Sequence, residues 1–258
     1  MPYAEVDGCR LFYRFDGPDD APVLMMSNSL GTTHRMWNPQ VEALTQNFRV
    51  LRYDRRGHGA SDAPEGPYSI ERLGRDALGI LDHLGLQKVR WCGLSIGGMV
   101  GMWLGTHAPE RFERMVLSNT AARMGPPDMW DGRIRTVTQN GMEALLEVTM
   151  ERWFTPEYRA TGDAMIQTIR ADFGDTPPIG YAGCCAAIRD MDQREAIATI
   201  DLPVLVIIGE RDPATPPSEG DFIVSQIKGA QTVRLPAAHL SNIEQPEAFS
   251  KAVLDFMK

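Results

Sequence analysis

Apolar and polar positions alternate along the chain in two rhythms. Short apolar runs bounded by turn residues stand at 22–26, Arg49–Tyr53, 89–92, 115–117, 203–208 and 232–235. Runs of this kind mark strands buried on both faces of a parallel sheet. Between them lie segments of helical period. Over 69–84, Leu73, Ala77, Ile80, Leu81 and Leu84 share one face, with Ser69 placed to cap the start and Gly85 to end it. At the N-terminal end, Tyr3–Val6 and 10–15 flank Asp7-Gly8, a strong hairpin signal. The alternation predicts an α/β fold with a mostly parallel central sheet and helices on both faces.

The rhythm breaks between 122 and 198, where no buried strand is evident. Helix-like stretches at 129–138, 142–151 and 181–188 are separated by Met124-Gly125-Pro126-Pro127 and Asp175-Thr176-Pro177-Pro178. The expectation is a helical cap, 122–198, inserted into one core domain formed by 1–121 and 199–258. A length of 258 residues suits one large domain carrying such an insertion. The chain has no internal repeat and no low-complexity tract.

Composition narrows the function. At 43% hydrophobic and 23% charged, the chain reads as an ordinary globular protein. Its net charge of -8 lacks the basic footprint of a nucleic-acid binder. No basic leader precedes an apolar run, and none approaches the roughly 18 apolar residues of a membrane span. Cys9, Cys92, Cys184 and Cys185 show no CxxC spacing, which suits free thiols in the cytoplasm and supports no metal site. The acidic balance sets one condition. An anionic substrate meets a repulsive net field, so its site must supply positive charge locally.

The strongest chemical signal is Gly93-Leu94-Ser95-Ile96-Gly97-Gly98, a G-x-S-x-G element between a predicted strand and a helix at 99–107. A sharp strand-to-helix turn lifts such a serine above the sheet and needs residues without bulk on either side. Ser95 is the candidate nucleophile, and a serine hydroxyl needs a base. The partners of such a turn follow in the order acid, then histidine. Of five histidines, only His239 lies beyond any suitable acid, in the loop after the last strand. The acid belongs after strand 203–208, where Asp212 is the choice and Glu210 the fallback. For the oxyanion hole, Ile96 supplies one backbone N–H. The loop Ser27-Asn28-Ser29-Leu30-Gly31 supplies the other, from Ser29 or its neighbour Leu30.

These residues resemble those of the α/β-hydrolases and, within them, are most similar to the 3-oxoadipate enol-lactonases of the β-ketoadipate pathway. The likeness is carried by Ser27 to Thr32 with Met36-Trp37, by Asp54 to Gly59, and by Gly66-Pro67-Tyr68. It continues through the Ser95 element, Ser118-Asn119-Thr120-Ala121 and His239 to Gln245. Two departures stand out: Asn28 replaces a glycine, and Ile96 a methionine. The resemblance implies a serine hydrolase that opens the ring of 3-oxoadipate enol-lactone to give 3-oxoadipate in aromatic-compound catabolism. No metal or organic cofactor is called for.

Such a lactone carries a carboxylate. The cap offers Arg123, Arg133 and Arg135 near the aromatic candidates Trp130 and Trp153. Arginine suits bidentate carboxylate binding, and Arg133 and Arg135 point apart if 129–138 is one helix. Arg133 is the favoured candidate. The same catalytic set also serves carboxylesterases, carbon–carbon bond hydrolases and perhydrolases. A non-catalytic ligand-binding relative is the alternative from another class.

Overall fold

The computed structural model describes residues 2–258. Asp7 and Gly8 both take positive φ, 48° and 72°, which joins β1 (Tyr3–Val6) to β2 (Cys9–Asp16) as the expected hairpin. The remaining strands are β3 (Val23–Ser27), β4 (Arg49–Tyr53), β5 (Val89–Leu94), β6 (Phe112–Ser118), β7 (Val204–Gly209) and β8 (Gln231–Leu235). They form one sheet in the order β1-β2-β4-β3-β5-β6-β7-β8, parallel from β4 to β8. Every residue of β7 is buried, as parallel strands covered on both faces require.

Helices α1 (Asn38–Leu44), α2 (Ile70–His83) and α3 (Ile96–His107) follow β3, β4 and β5. Ser69 caps α2 by accepting from the Arg72 N–H, as its position suggested. Between β6 and β7 lie α4 (Pro127–Asn140), α5 (Glu143–Trp153), α6 (Pro156–Ala160), α7 (Ala164–Gly174) and α8 (Pro178–Asp190). Helices α9 (Pro217–Gln226), α10 (Ser241–Glu244) and α11 (Pro246–Met257) complete the chain. Helix α2 packs on α3, which crosses β5 and β6, while α1 packs on α11. Among the described residues, no helix is long and apolar enough to cross a membrane.

The structure lengthens several predicted elements. Strand β5 runs on to Leu94 and α3 begins at Ile96, three residues earlier than the pattern indicated. Helices α6 and α7 were not anticipated. Where the chain leaves β6 and returns toward β7, its two passes meet: the Gln193 N–H donates to the Ala122 carbonyl at 2.9 Å, and Arg123 bridges Asp192 antiparallel.

Candidate active site

Ser95 stands between β5 and α3 with φ 60° and ψ -121°, a left-handed conformation costly for a residue with a Cβ. Its surroundings hold it there. The Ser95 N–H donates to Ser118 O at 2.9 Å, and Thr120 Oγ1 donates to Ser95 O at 2.7 Å. The glycines are steric necessities. A Cβ on Gly93 would lie 2.2 Å from Gly97 O, and one on Gly97 2.1 Å from Ser27 O. The chain can therefore double back here only without side chains. Ile96 is the first residue of α3, where backbone N–H groups are free and favour negative charge.

The loop after β3 is fastened on several sides. Asn28 Oδ1 accepts from Trp37 Nε1 at 3.1 Å, its Nδ2 donates to Tyr53 O at 3.1 Å, and its carbonyl accepts from Arg55. Gly31 N–H donates to His58 Nε2 at 2.9 Å. Ser29 lies at the site, yet its N–H is directed to Met36 Sδ at 3.2 Å. The Leu30 N–H meets no acceptor among the described residues. Of the two residues expected to offer the second backbone donor, Ser29 or Leu30, Leu30 is the one whose N–H is left free.

His58 holds this loop only while its Nε2 is an acceptor, and burial, aided by Arg55, lowers its pKa from 6.5 to about 3. Its Nδ1 faces Arg56 O at 3.3 Å, which fixes the neutral tautomer with hydrogen on Nδ1. A pKa depressed in the folded state stabilises fully above the unfolded value and loses that contribution as pH falls. The loss runs from about 6.5 toward about 3. Urea denaturation across this window is expected to show falling stability, with a shallower slope in His58→Gln. Equal slopes in the two proteins would assign the acid sensitivity to other groups.

Asp212 and His239 meet as predicted. His239 Nδ1 lies 2.8 Å from Asp212 Oδ2, both groups are buried, and Glu210 is exposed. Burial alone would raise the Asp212 pKa. The His239 charge and hydrogen bonds from His239, Thr215 and Asn119 outweigh it and leave the carboxyl below its ordinary value. Asp212 Oδ1 accepts from the Ala214 and Thr215 N–H groups at 2.7 and 3.0 Å. Its Oδ2 accepts from Thr215 Oγ1 at 2.6 Å and Asn119 Nδ2 at 3.0 Å. Nothing in the sequence marks Thr215, and Asn119 stands out there only within the stretch Ser118 to Ala121. His239 sits on a loop tied to the inserted segment: the Leu240 N–H donates to Trp153 O at 3.1 Å. Glu244, four residues beyond, accepts from Thr155 N–H and Oγ1 at 2.6 and 2.7 Å and from the Ala238 N–H.

Ser95 and His239 open on a narrow cavity of about 50 Å³. Trp130, Trp153 and Arg133, all anticipated, contribute to its wall, as does Arg152, which was missed. Trp153 stacks over the His239 ring with centroids 6.5 Å apart. Arg133 donates to Tyr181 Oη from Nη2 at 2.5 Å and from Nε at 3.2 Å, and reaches Thr149 Oγ1 at 3.4 Å. None of these partners is a carboxylate. Burial pushes the Tyr181 hydroxyl and the Cys185 thiol beside it up, so neither offsets the guanidinium. Arg152 also lacks an acid partner among the described residues: it donates to Pro213 O at 3.4 Å, and burial and then the Arg133 charge lower its pKa. The other candidates lie elsewhere. Arg123 is exposed 3.8 Å from Asp192, and Arg135 is exposed.

Comparison with known proteins agrees with this geometry. The model of the α/β hydrolase fold family matches residues 22–246. The chain is 41% identical over 251 residues to 3-oxoadipate enol-lactonase 1 of Acinetobacter baylyi, covering 97% of this chain and 94% of that protein. It is 40% identical over 248 residues to enol-lactonase 2 of the same organism, covering 96% and 93%. The crystal structure of the enol-lactonase from Burkholderia xenovorans superposes with a TM-score of 0.98, at 46% identity and 99% coverage of both chains. Likeness at this level over nearly the whole length reaches past the fold to the family: the chain belongs to the α/β hydrolases, alongside the 3-oxoadipate enol-lactonases.

Proposed function

We propose that this protein hydrolyses 3-oxoadipate enol-lactone, or a close carboxylate-bearing enol-lactone, to the open keto acid of the β-ketoadipate pathway. The observation that carries the reading is Arg133, a cation without an acid partner among the described residues, in the cavity of Ser95 and His239. Removing a charge from water without a partner is costly, and a ligand carboxylate supplies the partner. Trp130 and Trp153 give the ring of the lactone an apolar wall. Arg152 adds a second positive charge to the site of an otherwise acidic protein.

In this mechanism His239, oriented by Asp212, takes the Ser95 proton as Ser95 Oγ attacks the lactone carbonyl. The Ile96 N–H and the loop after β3 stabilise the oxyanion. Collapse breaks the bond to the ring oxygen and expels an enolate, which is protonated and tautomerises to the ketone. Water activated by His239 then releases the acyl group. The segment 122–198 serves as the cap that roofs the cavity. The free, buried thiols of Cys9, Cys92, Cys184 and Cys185 suit a cytoplasmic enzyme.

The test is a steady-state assay on the enol-lactone and on its methyl ester, which keeps the ring and loses the charge. Wild type is expected to favour the free acid. Arg133→Met is expected to raise KM for the acid about 10²-fold, with kcat within a few-fold and the ester unaffected. An unchanged KM for the acid, or an equal rise for both compounds, would remove Arg133 from the binding site. Preference for a simple aryl ester over the lactone would favour a carboxylesterase.

A further inference from the structure

Ser29 is 1% exposed and forms part of the cavity wall beside Ser95 and His239. Its main chain is fully committed. The N–H goes to Met36 Sδ at 3.2 Å, and the carbonyl accepts from Thr32 Oγ1 at 2.9 Å. Thr32 Oγ1 also approaches the same sulfur at 3.1 Å. With Asn28 pinned by Trp37 and Tyr53 and Gly31 pinned by His58, the peptide groups of Ser29 cannot turn without breaking several contacts. The Ser29 hydroxyl is different: it is buried and has no hydrogen-bond partner. Unpartnered buried hydroxyls are uncommon because the group loses its water and gains nothing in return. In a cavity wall beside a strained serine, that vacancy suits a ligand oxygen.

We propose that the Ser29 hydroxyl is a donor of the oxyanion hole, acting through its side chain where its backbone N–H is taken by Met36. The Ile96 and Leu30 N–H groups are the companion donors. The inference rests on Ser95 being the nucleophile. As Ser95 Oγ bonds to the carbonyl carbon, its proton passes to His239 Nε2 and the carbonyl π pair moves onto oxygen. That oxyanion accepts the hydrogen bond of Ser29 O–H, and no proton leaves Ser29. When the carbonyl re-forms and the bond to the ring oxygen breaks, the charge departs and the bond weakens. The contact is therefore stronger in the transition state than in the bound substrate, and its loss falls on kcat.

The test compares wild type, Ser29→Ala and Ser29→Thr, with thermal unfolding used to confirm that each is folded. Ser29→Ala is expected to lower kcat on the order of 10- to 100-fold with KM nearly unchanged, and Ser29→Thr to recover much of the loss. Affinity for an alkyl boronic acid, which becomes tetrahedral on Ser95, is expected to fall by the same factor in Ser29→Ala. Affinity for 3-oxoadipate, whose carboxyl groups stay planar, is expected to hold. An unchanged kcat and boronate affinity, or an equal loss for both ligands, would overturn the role. Labelling wild-type Ser95 with a serine-directed phosphonate separates the two levels. A labelled enzyme with a silent Ser29→Ala refutes this inference alone, whereas failure to label brings down both.

Discussion

Replacing Ser95 by alanine is expected to lower kcat by a factor on the order of 10⁵ or more, with affinity for 3-oxoadipate changed only a few-fold. Ser95 is the cavity hydroxyl presented on the strand-to-helix turn, and loss of the nucleophile in a Ser-His-Asp set removes about as much catalysis as loss of the whole set. Alanine keeps the Cβ, so the positive-φ turn is no more strained than with serine, and the contacts to Ser118 and Thr120 involve only the backbone at residue 95. Activity and structure are thereby separated. The check pairs single-turnover kinetics on the enol-lactone with mass spectrometry after phosphonate treatment, where wild type gains one adduct and Ser95→Ala gains none. Turnover near the wild-type rate in Ser95→Ala would end the mechanism, and an unlabelled wild type would favour a binding protein with a hydrolase shell.

Asp212→Asn is expected to cost about 10⁴-fold in kcat, while Glu210→Gln stays within two-fold of wild type. The substituted amide can still accept the Ala214 and Thr215 N–H groups through its oxygen, so the loop keeps its shape. Its NH₂ group would then face His239 Nδ1. That nitrogen must become the acceptor, the ring proton moves to Nε2, and the base can no longer take the Ser95 proton. Catalysis is lost mainly through a tautomer, although the Asn119 Nδ2 donor, which then faces an NH₂ group, must also turn away. The pair of variants also settles the choice between the two acids after β7: a large loss in Glu210→Gln with little in Asp212→Asn would reverse it.

The core was legible because its signals are local. Apolar runs at β3, β4, β5 and β7 are flanked by turn residues, and chain order alone singles out His239 from five histidines. The early start of α3 was hidden by Gly97 and Gly98, poor helix formers retained because bulk there would strike Ser27 O or Thr120. Helix α7 did carry a signal: Ile166, Ile169 and Phe173, all buried, recur at helical spacing. Charge pairing was different in kind. Arg133 and Arg152 line the cavity with no acid partner among the described residues, whereas Arg189 meets Asp131 and Asp190. Which acid stands near which arginine is decided by how α4 lies on α8, and sequence spacing does not contain that. The same applies to Thr215 and to the thioether of Met36, which redirects the Ser29 N–H.

Glu244 gives the molecule an interlock. It joins the loop of His239 to Thr155, and the neighbouring Leu240 N–H is held by Trp153, so the general base hangs partly from the roof above it. If the roof lifts at 153–155, it takes three of those hydrogen bonds with it. A displacement at 153–155 would thus leave the loop of His239 without those supports.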